Sequence, residues 1–222
     1  MSGRIMHPAD MFNMIHTRRN YSTVGLNMDF KIHVERADQV LYVVFQGSNG
    51  STDWFHNFLA IPSRIEPIDG CGFFVHKGFA RVWRSGNEVV LDQLELRLGQ
   101  RQFDGFQVCF GGFSHGGPLA MLAAHEWFTR TQKRERCIIF GSPKLAWGMN
   151  AVARLQESGD HTHWFNPADA VVHVPFSRWG FEDVDRTLVN IPDNRPWSIL
   201  NINRQHQIYG NREIYPRIRE AA

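Results

Sequence analysis

The sequence predicts an α/β fold: a mostly parallel sheet with helices on both faces. Three observations carry that expectation. Short apolar runs at 40–45, 106–110, 137–140 and 161–165 are rich in aromatic and β-branched residues and read as buried strands. Helical patterns separate the later runs, so strands and helices alternate from residue 79 onward. One of these strands also runs directly into a helix through a serine set between two glycines, Gly112-Phe113-Ser114-His115-Gly116.

Taken in order, residues 7–19 read as a short helix with Met11, Met14 and Ile15 on one face. Residues 30–34 and 40–45 flank a turn at Arg36-Ala37-Asp38 and read as a hairpin or two adjacent strands. Residues 46–51 form a loop by composition. Trp54, Phe55, Phe58 and Leu59 have the spacing of a short amphipathic helix over 53–59, with Ser51 and Thr52 available as caps. Residues 62–72 are irregular, and 78–98 reads as one long helical pattern. After the serine turn, a helix is expected from Pro118 and a strand at 137–140, ending in Gly141-Ser142-Pro143. A helix over 149–155 and a strand over 161–165 follow, the strand ending at Asn166-Pro167-Ala168-Asp169. Residues 171–196 read as loop-rich, and the segment 197–209 precedes a charged tail expected to be exposed. No repeat, low-complexity tract or linker composition marks a boundary, so residues 1–222 are expected to form a single domain.

Composition narrows the function. With 43% hydrophobic and 21% charged residues the chain is of globular type. A net charge of +2, with no basic run interleaved by aromatics, argues against nucleic acid as a partner. The longest clean apolar run, 40–45, is far too short for a membrane span. No signal peptide is visible at the N-terminus. Cys71, Cys109 and Cys137 are odd in number and read as reduced, so a cytoplasmic location is expected.

The serine turn carries the chemistry. A strand that bends sharply into a helix leaves no room for side chains at 112 and 116, and it lifts the serine hydroxyl above the sheet at a helix N-terminus. A serine hydroxyl becomes a competent nucleophile only with a base, and the base needs a group to orient it. On such a nucleophile elbow the partners follow in the order Ser, Asp or Glu, His. Asp169, just past the strand 161–165, fits the acid; Asp160 stands at the wrong end of that strand, and Asp183 and Asp185 lie deep in the loop. Of eleven histidines only His173 and His206 follow Asp169. His173 lies in the same segment as the acid, so His206 is the better base. A developing oxyanion needs donors: the N–H of His115 comes with the elbow, and Ser48, in the loop after strand 40–45, can supply its N–H and hydroxyl. His161, His163, Asp169 and His173 could be grouped as metal ligands, but no metal motif or cysteine pairing supports it, so neither metal nor cofactor is expected.

Six motifs together resemble the class 3, or fungal-type, lipase family, in the same order. They are Val43-Val44-Phe45-Gln46-Gly47-Ser48, Asp53-Trp54, Val75-His76-Lys77-Gly78-Phe79, Gly112-Phe113-Ser114-His115-Gly116-Gly117, Phe140-Gly141-Ser142-Pro143 and Asn166-Pro167-Ala168-Asp169-Ala170-Val171. The match covers roughly residues 40–210. The resemblance implies an α/β-hydrolase fold and a serine carboxylester hydrolase working on acyl esters or lipids, in solution or at a lipid interface. It implies Ser114, Asp169 and His206 as triad and Ser48 with His115 as oxyanion hole. The segment bearing Trp54, Phe55, Phe58 and Leu59 would correspond to the lid. A phospholipase A1, an acyltransferase and a catalytically idle binding protein remain alternatives on the same residues. The sequence departs from the family at Gln46, usually Arg, at Phe113, usually His, and at His115, usually Leu.

Overall fold

The computed structural model describes residues 4–17, 19–47, 65–67, 72–188 and 206–215. Its main sheet has seven strands. The hairpin expectation holds: β2 (Met28–Glu35) and β3 (Val40–Phe45) are antiparallel neighbours, with β1 (Ser22–Val24) on the outer edge of β2. Beyond β3 every pairing is parallel, through β6 (Gln107–Phe113), β7 (Glu135–Phe140), β9 (Gly159–Phe165) and β11 (Arg186–Leu188). All six residues of β3 are buried, which is why this strand reads as an unbroken apolar run and not as an alternation.

The two faces of the sheet are covered unequally. Leu41, Val43 and Phe45 of β3 point toward α2 (Lys77–Arg84), α3 (Asn87–Leu98), α4 (Gly116–Thr131) and α5 (Gly148–Ser158). Val40, Tyr42 and Val44 point to the other face, covered by α1 (Pro8–His16) together with Tyr209, Ile214 and Tyr215. α4 is buried from Gly116 through His125 and at Trp127, as the part of a helix at the centre of a layered fold must be, and reaches the surface at Thr129 and Arg130. No helix among the described residues is long and apolar enough to cross a membrane.

Four details differ from the sequence reading. The helical pattern over 78–98 is two helices, broken at Ser85-Gly86. There the Ser85 hydroxyl donates to the Val82 carbonyl (2.6 Å) and accepts the N–H of Leu26 (2.8 Å), a tertiary contact that helical periodicity does not report. A second, antiparallel sheet joins β4 (Ile65–Pro67), β5 (Phe74–His76), β8 (Ala146–Trp147) and β10 (Phe181–Glu182), strands too short to leave a pattern. The loop-rich stretch after residue 171 contains β11, which extends the main sheet beside β9. In the expected tail Asn211, Arg212 and Glu213 are exposed, but Ile214 and Tyr215 are buried under α1, and residues 216–222 lie outside the described residues.

Candidate active site

The elbow forms where β6 meets α4. Ser114 has φ 54°, a left-handed backbone that costs a non-glycine residue energy and persists only where its surroundings enforce it. The Ser114 N–H donates to the Phe140 carbonyl at the end of β7 (3.0 Å), and its own carbonyl accepts the N–H of Gly117 (2.9 Å). The flanking glycines answer to crowding. A β-carbon on Gly112 would lie 2.1 Å from the Gly116 carbonyl oxygen, and one on Gly116 would lie 2.2 Å from the Phe45 carbonyl oxygen. The loop after β3 also reaches the serine, since a β-carbon on Gly47 would lie 3.2 Å from Ser114 Cβ. Ser48, the next residue, and Trp54, Phe55, Phe58 and Leu59 lie outside the described residues.

Asp169 follows β9 and is wholly buried. A buried carboxylate is tolerable when its oxygens are bonded. Oδ1 accepts the N–H of Val171 (3.0 Å), while Oδ2 lies 2.7 Å from His206 Nδ1 and accepts the Tyr209 hydroxyl (3.1 Å). Tyr209 in turn accepts the N–H of Asn166 (3.0 Å). Burial, then the neighbouring Asp169 charge, pushes the Tyr209 phenol far above its ordinary range, so it stays a donor. Gly141 makes room for this cluster. It has φ 50°, and a β-carbon there would lie 2.8 Å from Tyr209 Cε2 and 2.9 Å from Asp169 Oδ2.

His206 is brought to the elbow from the far end of the chain. Its ring lies on that of Phe113, the residue before Ser114, with centroids 4.5 Å apart and planes at 32°. Phe113 packs in turn edge-to-face with Phe12 (5.0 Å, 79°) and His16 (6.0 Å, 71°) of α1. Ser114 and His206 are 7% and 8% exposed, reachable but shielded from bulk water.

The other candidates go elsewhere. His173 has its Nε2 2.8 Å from the Pro167 carbonyl, Asp160 pairs with Arg136, Asp183 with Lys144, and Asp185 accepts from Gln156. His161 Nε2 faces the Leu155 carbonyl, and His163 Nε2 accepts the N–H of Ser142. The His115 ring turns to the opposite side of the sheet, against Phe79 (5.3 Å), where burial lowers its pKa to about 4 and keeps it neutral near pH 7. Burial lowers His76, which also packs on Phe79 (5.2 Å), to about 4 as well. Sequence reasoning did not find Tyr209, Gly141 or the stacking role of Phe113. The one local signal was the spacing of Tyr209, one helical turn after His206.

A mostly parallel sheet flanked by helices, with a strained serine between its central strand and central helix, is the α/β-hydrolase fold. Residues 42–179 match the model of the lipase (class 3) family, and the chain belongs to that family. Over 168 residues it is 25% identical to a lipase of Rhizomucor miehei, a match covering 73% of this chain and 45% of that one. The chain thus spans about half the length of that relative. In structure it is similar to a fungal lipase (TM-score 0.72, 17% identity, 84% of this chain and 76% of the other). It is also similar to a triacylglycerol lipase whose catalytic centre is formed by a serine protease triad (TM-score 0.66, 20% identity, 79% and 66%).

Proposed function

We propose that the chain is a serine carboxylester hydrolase acting on lipid acyl esters, with Ser114 as nucleophile, His206 as base and Asp169 as the group that orients it. The 2.7 Å contact between His206 Nδ1 and Asp169 Oδ2, beside the elbow, carries this reading. The ionised carboxylate can only accept, so the proton sits on Nδ1 and leaves Nε2 free of one to receive the Ser114 proton. Ser114 Oγ then attacks the ester carbonyl carbon, and its proton passes to His206. The tetrahedral oxyanion is held by the N–H of His115 and by Ser48. Collapse breaks the ester C–O bond, the alcohol leaves with the proton from His206, and an acyl-Ser114 remains. Water repeats the sequence in reverse and releases the acid.

A fluorophosphonate probe should label Ser114, located by peptide mass spectrometry, and Ser114→Ala should lose label and at least about 10⁴-fold in ester turnover. Labelling elsewhere with Ser114→Ala still active would overturn the reading. The apolar stripe of Trp54, Phe55, Phe58 and Leu59 directly follows the Ser48 loop in sequence, which fits a cover that meets lipid. Replacing Phe55 and Phe58 together by serine should lower turnover of dispersed lipid far more than that of a soluble short-chain ester. Equal losses would assign the stripe to ordinary packing.

A further inference from the structure

We infer that Phe113 is a positioning residue for His206, whose ring face carries the imidazole and stabilises the imidazolium formed while it holds the serine's proton. The inference rests on the triad reading above. The geometry is that of a cation platform, since centroids 4.5 Å apart, with planes at 32°, put the imidazole over the face of the phenyl ring. That face bears the negative part of the ring's quadrupole, and a cation within about 6 Å is attracted to it. Phe113 cannot turn away. Phe12, His16 and Tyr209 pack against it in edge-to-face pairs at 5.0, 6.0 and 6.4 Å, and it is 7% exposed.

Phe113 is also the last residue of β6 and bonded to Ser114, so platform and nucleophile are one rigid unit. A histidine at this position would offer a second titratable ring whose charge would repel that on the first. Phenylalanine supplies the same flat surface with no charge of its own. Among the described residues, the titratable groups linked by contact to His206 or to its platform include Asp169, bonded to it, Tyr209, bonded to the same carboxylate oxygen, and His16, which packs against the Phe113 ring.

Fluorination tests this without changing shape. Phe113 is replaced by mono-, di- and trifluorophenylalanine, which weaken the quadrupole stepwise, and by leucine. The readouts are kcat, KM and the pH profile of kcat/KM on a soluble ester. Phe113→Leu should lower the plateau kcat about 3- to 10-fold with KM little changed. It should also move the acid limb of the profile about half a pH unit lower, because the charged base has lost a stabilising partner. The fluorinated rings should reproduce both effects in order of fluorine number. A plateau that falls while the acid limb stays in place, or a flat fluorine series, would overturn the inference and leave Phe113 as packing alone. Fluorophosphonate labelling of Ser114 is scored on the same samples, so that failure of the triad itself is seen separately. The near-isosteric rings keep the test decisive if the leucine variant fails to fold.

Discussion

The Tyr209 hydroxyl donates to Asp169 Oδ2 at 3.1 Å, on the same oxygen that His206 Nδ1 approaches to 2.7 Å. The phenol thus holds the carboxylate from one side while the imidazole engages it from the other. Because Tyr209 also accepts the Asn166 N–H, the strand end before Asp169 and the segment carrying His206 are tied through one oxygen atom.

Tyr209→Phe should therefore do two things. It removes the acceptor that the Asn166 N–H now uses and one donor from a buried carboxylate, costing about 1–3 kcal/mol of stability. It should also lower kcat more than it raises KM, since the orientation of His206 is what loosens. Urea denaturation and steady-state ester kinetics check the two effects.

Acid sensitivity has a definite window. His76 and His115 have folded pKa values lowered to about 4 by burial, against an ordinary value of 6.5. The unfolded chain binds more protons between these values, so stability rises with pH across that window. It is fully present above about 6.5 and is lost as pH falls toward about 4. His125 and His161, also lowered by burial, add to the same slope. Denaturation midpoints measured from pH 4 to 7.5 should show it. His76→Asn, which keeps an acceptor at the start of α2 where His76 Nδ1 now accepts the Gly78 N–H, should flatten it.

Crowding at the elbow gives a contrast between two glycines. In Gly112→Ala the added carbon would meet backbone at 2.1 Å, and neither chain can yield without distorting the turn. Gly105 has φ 80° and nothing within 4 Å of the added carbon, so Gly105→Ala should cost only about 1–2 kcal/mol. Thermal melts should show a small shift for the second. The first should show a loss several times larger, or no soluble protein.

Phe12→Ala should couple stability to activity. Deleting a buried phenyl ring costs about 3–5 kcal/mol. Here it also removes the edge contact that fixes Phe113. Turnover per labelled active site should fall, which a purely global loss of stability would not cause. Titrating active sites before measuring kcat separates the two.

Much of this arrangement was legible in the sequence because its signals are local. β3, β7 and β9 announce themselves by short apolar runs, and the elbow by glycines that only a strand-to-helix turn demands. Asp169 and His206 were singled out by chain order and the chemistry a serine needs, and the fold brings the two into contact. The break at Ser85-Gly86 was hidden because Leu26, 59 residues away, helps set it. Tyr209 was hidden for the same reason: its bond to Asp169 spans 40 residues, and its spacing from His206 alone does not point to a buried acceptor. Gly141 looked like a strand-end turn, and its real constraint, the space taken by Tyr209 and Asp169, exists only in three dimensions.

The segment carrying His206 is clasped by α1. Arg212 bonds Asp10, His7 meets the edge of Tyr215 at 5.6 Å, and Asn13 stands against Gly210. Arg212 and Asp10 are 202 residues apart in the chain. Closing so long a loop is entropically costly and is rewarded only once the sheet between its ends exists. In refolding, the sheet and its helices can therefore form while the base is still unplaced. If His206 is the base proposed above, recovery of ester turnover should lag behind recovery of secondary structure, so a chain that already looks native by circular dichroism would still be waiting for His206 to arrive.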